Sequence, residues 1–435
     1  MERYEKYKDS GIEWIGEIPE HWKIVPIKRL VGEENTLFLD GDWIESKDIV
    51  FDTDGIRYIT TGNIGEGTYK EQGLGYITQD TFDKLNCTEV LPFDLVISRL
   101  NPPIGRCCII PDLGKKIVTS VDNVILRPNK KFNKGFLKYV MSNEKYFEYT
   151  SLIARGATMQ RISRSLLGDI NIPVSFDFNE QSNIATYLDR KTTEIDHIIV
   201  NKQKLIALYE EEKQAIINQA VTKGVKTHGV RLKDSGVEWL GEIPEHWEVK
   251  KLKYLVTLIT EKAIGENSKI GLENIDSKTG KYIETNTEFE GEGIAFIHND
   301  ILYGKLRPYL AKVWVAEFEG AAVGDFFVIR MNLNLCSDFM KYRLLSTSFT
   351  DVSNGSTFGA KMPRVSWEFM SDLFFAIPSI DEQQSIVSHI EKECARLDAI
   401  IEKYNKQIDL LQEYRTTLIS EVVTGKIMVP ENENK

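Results

Sequence analysis

Two stretches of the chain place apolar residues at alternating steps of four and three. The first runs Ile184, Leu188, Lys191, Ile195, Ile198, Lys202, Leu205, Tyr209, Glu212 and Ile216, with seven of the ten positions apolar or aromatic. The second runs Ile386, Ile390, Glu393, Leu397, Ile400, Tyr404, Gln407, Leu411, Tyr414 and Leu418. This period predicts two long amphipathic helices, each with one coiled-coil seam broken by polar residues. Asn179 is a suitable N-cap for the first. A helix from Glu180 to Val221 would be about 63 Å long.

Elsewhere the pattern changes to short β-type runs broken by Gly, Pro and Asp. IRYITTGNI (56–64), DLVISRL (94–100), RCCIIP (106–111) and NVILRP (123–128) read as strands of an irregular α+β domain. FLKYVMSNEKYFEYTSLI (136–153) reads as one helix that Gly156 would end.

The whole order then repeats. Residues 8–24 read KDSGIEWIGEIPEHWKI and residues 233–249 read KDSGVEWLGEIPEHWEV, identical at 13 of 17 positions. ITTGNI (59–64) matches IGLENI (270–275), DLVISRLNPP (94–103) matches DILYGKLRPY (300–309), and ARGATMQRIS (154–163) matches SNGSTFGAKMPRVS (353–366). NEQSNIATYL (179–188) matches DEQQSIVSHI (381–390). The offset between copies drifts inside the domains and then holds at 202 through the helix without a gap. Helix register is kept while loops are free to vary. A period of about half the chain implies two related domains rather than a solenoid.

The expected division is a first globular domain over 1–177, a helix over 178–225, a second globular domain over 226–378 and a second helix with tail over 379–435. Two helices of equal length with one seam each should bury those seams against each other. A pseudo-twofold would make them antiparallel, a ruler carrying a domain at each end.

The net charge of −11 by itself argues against a nucleic-acid partner. Its distribution changes that view. Residues 30–98 hold 14 acids and 4 bases, whereas residues 99–164 hold 13 bases and 4 acids. Part of the first domain could therefore offer a basic face to phosphates. The equivalent part of the second domain is near balance.

Catalytic motifs are missing from the sequence: no GxxxxGK[ST] phosphate loop, no HExxH, no paired Cys/His zinc spacing and no GxSxG. The odd count of five cysteines, without paired spacing, fits a reducing cytoplasm. Cys107 and Cys108 read as a buried strand. No apolar run reaches the ~20 residues of a membrane span. His21 and His246 recur with the Trp motif and read as structural neighbours of Trp22 and Trp247. Asn101-Pro102-Pro103 resembles the adenine-holding loop of amino-methyltransferases, but Ile104 stands where a stacking aromatic belongs and no cofactor glycine motif precedes it.

What remains is a set of polar residues in matched Gly-broken loops. The first copy offers Thr60, Thr61, Asn63, Arg99, Asn101, Arg155, Thr158, Gln160 and Arg161. The second offers Asn274, Lys305, Arg307, Tyr309, Ser356, Thr357, Lys361 and Arg364. Arg and Lys suit guanine edges, and Asn and Gln suit adenine edges; the same types also hold phosphates.

The ordered motifs resemble one family. They are DSGIEWIGEIPEHW, Pro363–Glu368 (PRVSWE), Ile172-Pro173 and Ile377-Pro378, Glu180-Gln181 and Glu382-Gln383, and the closing Val423–Ile427 (VTGKI). Together they are similar to the specificity subunit of type I restriction–modification systems, over nearly the whole chain. The first copy departs from the pattern at GATMQRIS.

The resemblance implies two target recognition domains, each reading half of a split, non-palindromic site in double-stranded DNA. It implies spacer helices that fix the gap and dock two copies of an adenine methyltransferase subunit, with a motor–nuclease subunit as a further partner. The specificity chain would be cytoplasmic and non-catalytic, with no cofactor of its own; S-adenosylmethionine, ATP and Mg would belong to the partners. The rival readings are a stand-alone N6-adenine DNA methyltransferase built on Asn101–Pro103, and a coiled-coil adaptor with no DNA role.

Overall fold

The structure is a computed structural model that describes residues 2–225, 230–264, 268–287, 289–357, 359 and 361–430. His228 and two positions of the second GSTFGAKM loop, 358 and 360, lie outside the described residues. Among the described residues no helix is long and apolar enough to cross a membrane.

The chain divides into two compact units. The first comprises Met1–Asn201 with Gln407–Lys435, and the second Lys202–Lys406. Each unit therefore holds one globular domain and a segment of both long helices. These helices are Phe178–Lys223 and Ile380–Val423.

In the first unit the Trp motif forms a hairpin, Tyr7–Asp9 with Glu17–Pro19. Strand Lys23–Pro26 then pairs antiparallel with Asn171–Val174, with Ile24 opposite Pro173. That pairing ties the start of the globular domain to its end, immediately before the long helix begins. Between them lies a four-stranded antiparallel sheet in the order Leu37–Asp40, Asn123–Arg127, Leu95–Ser98, Cys107–Ile109. A three-stranded mixed sheet pairs Ile56–Ile59 with Tyr76–Ile77 and, in parallel, with Ile117–Thr119. Side chains on the inner faces, among them Ile59, Ile64, Val96, Cys108, Ile117 and Ile125, form the core. The β-runs read from the sequence are thus strands.

The helix expected over 136–153 is two helices, Lys134–Val140 and Glu144–Ile153. Asn143 divides them because its side chain accepts the N–H of Tyr146, an N-cap that begins a new helix.

The second unit repeats the order. Its four-stranded sheet runs Val256–Ile259, Phe326–Met331, Ile301–Gly304, Val313–Val315. Its closing pair is Glu248–Lys251 with Phe374–Ile377. One detail differs. The third strand of the small sheet, Ile294–Phe296, flanks Gly320–Ala322 instead of the strand equivalent to Ile56–Ile59.

Within each unit the long-helix segments pair antiparallel. In the first, Glu180 and Gly425 both meet Trp22, and further along Asp196 pairs with Arg415 at 3.0 Å. In the second, Gly224 meets Trp247 and Glu382, Lys213 pairs with Asp398 at 2.5 Å, and Tyr209 stacks on Tyr404. The two ion pairs are the same pair under the repeat, since 196 and 213 each move by 202 to 398 and 415.

The seam is half as expected. Ile184, Leu188, Ile195, Ile386, Ile390, Leu397 and Leu418 are buried, and Tyr209, Ile216, Ile400, Tyr404 and Leu411 are half-buried. Every second step is displaced by one residue. Ile198 is 44 % exposed while Ile199 is 9 % exposed. Leu205 is exposed and Ile206 half-buried, and Tyr414 is exposed and Arg415 half-buried. The inward rows are 188, 192, 195, 199, 202, 206, 209, 213 and, 202 residues later, 390, 394, 397, 401, 404, 408, 411, 415. Both phases keep a period of seven; the expected face shares every second position with the inward one and is turned by one residue at the rest.

Candidate nucleic-acid interface

The globular domains are joined to their helices by one device, built twice. The indole N–H of Trp22 donates to Glu180 Oε1 at 3.1 Å, and His21 Nε2 lies 3.1 Å from Oε2. Trp247 and His246 address Glu382 in the same way, at 3.1 and 2.9 Å. The next residue is matched too. Gln181 accepts the Asn133 N–H and donates to the Lys131 and Ser175 carbonyls, while Gln383 accepts the Cys336 N–H and donates to the Asn334 and Pro378 carbonyls. Both glutamines are fully buried, so each hydrogen bond satisfies a group that water cannot reach. The Glu-Gln pair therefore docks the Trp hairpin and the sheet domain onto the helix start.

The candidate loops gather at one end of each four-stranded sheet. In the first unit Leu100 bridges Arg161, the Asn101 N–H donates to the Gln160 carbonyl at 3.0 Å, and Arg155 and Arg161 exchange backbone hydrogen bonds. Thr60, Thr61, Asn101, Arg155, Gln160 and Arg161 are thereby brought together, with Thr158 at the exposed tip of the same turn. Arg106, which sequence reasoning missed, ties the cluster. Its guanidinium donates to the carbonyls of Thr61 (2.9 Å), Ile64 (2.7 Å), Asn101 (2.6 Å), Leu100 (3.1 Å) and Pro103 (3.2 Å). Burial holds its pKa below the usual arginine value.

The second unit uses Lys312 at the equivalent position, donating to the Leu272 carbonyl at 2.6 Å. There Leu306 bridges Arg364 and the Arg307 N–H donates to the Pro363 carbonyl at 2.8 Å.

Several expected DNA contacts point inward instead. Asn63, only 2 % exposed, gives both amide hydrogens to the carbonyls of Lys70 and Gln72 and accepts the Thr60 N–H. Asn274, 3 % exposed, gives its amide hydrogens to the Ile283 carbonyl and the Thr285 hydroxyl and accepts the Gly271 N–H. Arg99, 5 % exposed, donates to the Ile162 and Val121 carbonyls and pairs with Asp40 at 3.1 Å. Burial pushes its pKa down, against the pull of Asp40. These three are loop clamps, placed inside because their polar groups meet the demand of buried backbone.

Arg161 and Arg364 stand between the two kinds. Each is half-buried or partly exposed and ion-paired to a matched aspartate, Asp122 and Asp325, both at 2.9 Å. Ser356 and Thr357 donate to carbonyls at the end of their own helix. Lys305 sits over the Phe327 ring, 3.9 Å from Asp325. Thr60, Asn101, Arg155, Thr158, Arg307, Tyr309 and Lys361 are exposed.

Part of the basic stretch of the first domain is neutralised by the acidic stretch before it. Arg127 pairs with the buried Asp94 at 2.6 Å, Lys131 with Glu33 at 3.1 Å, and Lys134 and Arg164 approach Asp94 and Asp40 at 3.8 and 3.7 Å. Charge counted along the sequence therefore overstated the basic face.

The Asn101–Pro103 loop gives the methyltransferase rival nothing to stack on a base. Ile104 is fully buried and its carbonyl accepts the Thr150 hydroxyl at 2.6 Å.

Comparison with known proteins bears on these paired domains. No family model matches the chain. The MjaIX type I restriction enzyme specificity subunit of Methanocaldococcus jannaschii is 24 % identical over 448 residues, covering 96 % of each chain. Other curated relatives carry names of the same kind. Sequence and fold both match the specificity subunits of type I restriction enzymes. The HsdS subunit from Thermoanaerobacter tengcongensis shares the fold with a TM-score of 0.56 and 12 % identity, over 94 % of this chain and 98 % of its own. A chain solved in a study of complex assembly and conformational transition of the type I R-M system gives a TM-score of 0.70 at 11 % identity, over 94 % and 99 %. The likeness thus spans both globular domains and both long helices.

Proposed function

We propose that this chain is the DNA sequence-specificity subunit of a type I restriction–modification complex in the cytoplasm. Each sheet domain reads one half of a bipartite, non-palindromic site in double-stranded DNA through the loop cluster at its sheet end. The spacer helices set the gap and dock two adenine methyltransferase subunits, and a motor–nuclease subunit joins through them. The chain does no chemistry; methyl donor, ATP and Mg are used by the partners.

The observation that carries this reading is one frame built twice with different exposed loop residues. Equivalent frames present their loops in equivalent ways, and different tips make the half-sites differ. The displaced seam supports docking on the helices. It leaves Ile198 and Tyr414 exposed on the helix segments of the first unit, beside the exposed Leu410, and Leu205 on those of the second, beside the exposed Leu208. Large apolar side chains on a helix surface are suited to a partner.

The test is the intact mass of the complex purified through a tag on this chain from its host. One chain with two methyltransferase subunits is expected. A lone chain that binds methyl donor would overturn the reading. A second test is insertion of seven residues, one seam period, after Glu210 and after its repeat partner Gln412. It should lengthen the gap in the methylated site by up to about three base pairs while keeping both half-sites; an unchanged gap would contradict the role of the helices as a ruler.

A further inference from the structure

The two loop clusters share one position at which every requirement for reading a base is met. That position is Asn101 in the first unit and Arg307 in the second. Both follow the strand equivalent in the two copies, and both hold a left-handed backbone, with φ of 59° and 51°. Asparagine tolerates this conformation, whereas arginine rarely adopts it, and non-glycine residues kept there cluster at functional loops.

The backbone around each is pinned. The Asn101 N–H is held by the Gln160 carbonyl and its own carbonyl by Arg106. The Arg307 N–H is held by the Pro363 carbonyl and its carbonyl accepts the Leu310 N–H at 2.9 Å. The side chains are exposed, and among the described residues neither the Asn101 amide nor the Arg307 guanidinium has a hydrogen-bond partner. Of the other adenine- and guanine-suited candidates, Asn63, Asn274 and Arg99 are committed to the loops' own structure and Arg161 and Arg364 to aspartates, as described above, while Arg155, Gln160, Lys305 and Lys361 lack the left-handed backbone that the two matched positions share. A fixed backbone that presents a free, planar, bidentate group is the arrangement that base-edge recognition needs.

We propose that Asn101 and Arg307 are equivalent specificity-determining residues, Asn101 reading an adenine in one half-site and Arg307 a guanine in the other. The assignment rests on the DNA-reading role proposed above. Bidentate asparagine matches the N6 and N7 edge of adenine, and bidentate arginine the O6 and N7 edge of guanine. Each such pair discriminates against the wrong base by roughly 5- to 150-fold.

The experiment is methylation sequencing of DNA from cells that carry this chain with its partner subunits and no other adenine methylation. Wild type is compared with Asn101→Arg, Asn101→Gly and Arg307→Asn. Arg307 shows that the frame accepts arginine in this backbone, so Asn101→Arg is expected to fold; Asn101→Gly keeps the backbone and removes only the reading group. Asn101→Arg should change one adenine of one half-site to guanine, Asn101→Gly should relax that base alone, and Arg307→Asn should admit adenine at one guanine of the other half-site. The gap should stay fixed in all three.

Unchanged motifs would overturn the proposal. So would a uniform fall in methylation at every site, the mark of a phosphate contact, or loss of all methylation by Asn101→Gly in a complex that still assembles. A wild-type complex that methylates no bipartite motif would instead overturn the underlying reading before any variant is scored.

Discussion

The two units carry the same skeleton of buried polar contacts and differ at what they expose. Asp94 with Arg127 and Asp300 with Arg330 are one ion pair built twice, each aspartate also accepting a backbone N–H three residues before it. Asn63 and Asn274, Arg106 and Lys312, and the Glu-Gln joints follow the same rule. The exposed tips do not: Asn101 faces Arg307 in the alignment, and Pro103 faces Tyr309. Residues that satisfy buried backbone keep their identity or, as with Arg106 and Lys312, their charge and donor role, because their loss leaves an unpaired group, costing about 1–3 kcal/mol each. Residues at the tips satisfy no such buried group and are free to differ between the copies.

The largest way to break that symmetry is at the joint. Glu180 accepts from Trp22, His21, Tyr4 at 2.6 Å and Ser175, whereas Glu382 serves Trp247 and His246. Glu180→Ala should cost about 3 kcal/mol or more and Glu382→Ala about half of that. Amide hydrogen exchange, read separately in 7–174 and in 232–377, should place each loss in its own unit. Equal losses would mean that the extra partners of Glu180 add nothing.

The helix seam offers a sharper contrast between adjacent residues. Ile199→Glu should cost about 3 kcal/mol because it buries a charge. Ile198→Glu should stay within about 0.5 kcal/mol. Urea unfolding of the two variants side by side decides the phase, and the reverse ranking would restore the face first expected from the sequence.

A smaller effect compares the glycines that close the helices. Gly425 and Gly224 both have positive φ, 72° and 75°. A Cβ at Gly425 would also collide with the Pro19 ring, whereas at Gly224 it would meet the Glu382 carboxylate at 3.3 Å and the Trp247 ring at 3.6 Å. Gly425→Ala should lower stability by about 2 kcal/mol and Gly224→Ala by about 1 kcal/mol, a difference visible as a larger fall in Tm.

The smallest effect is expected at Cys107, whose counterpart is Val313. Both are buried strand residues. Burial pushes the Cys107 thiol up to about 12, so it stays protonated and slow to alkylate at neutral pH. Cys107→Val should change stability by less than about 1.5 kcal/mol.

Much of this structure could be read from the sequence. The strands, the two long helices and the repeat follow from local periodicity, which survives in any tertiary setting. The seam phase did not, because Ile198 and Ile199 are equally apolar and the choice depends on the partner helix. A signal was present, however. The inward row reads Thr, Ile, Ile, Lys in the first helix (192, 199, 206, 213) and Cys, Ile, Ile, Arg in the second (394, 401, 408, 415). The row first chosen reads Lys, Ile, Leu, Glu against Glu, Ile, Gln, Tyr. Agreement between copies marks the buried face.

The candidate interface was legible as a loop set but not residue by residue. Asn63 and Asn101 look alike in sequence, and only the fold decides which one closes a turn and which one faces outward. The basic stretch was misread for a similar reason. Its partners Asp40 and Asp94 lie far back along the chain and arrive through sheet pairing.

The central claim is that one frame, used twice, reads two different half-sites. Methylation sequencing of DNA exposed to the wild-type complex tests it most directly. The account predicts one adenine-methylated motif made of two unlike half-sites separated by a gap of fixed length. A contiguous motif, two identical half-sites in inverted order, or no motif at all would contradict it.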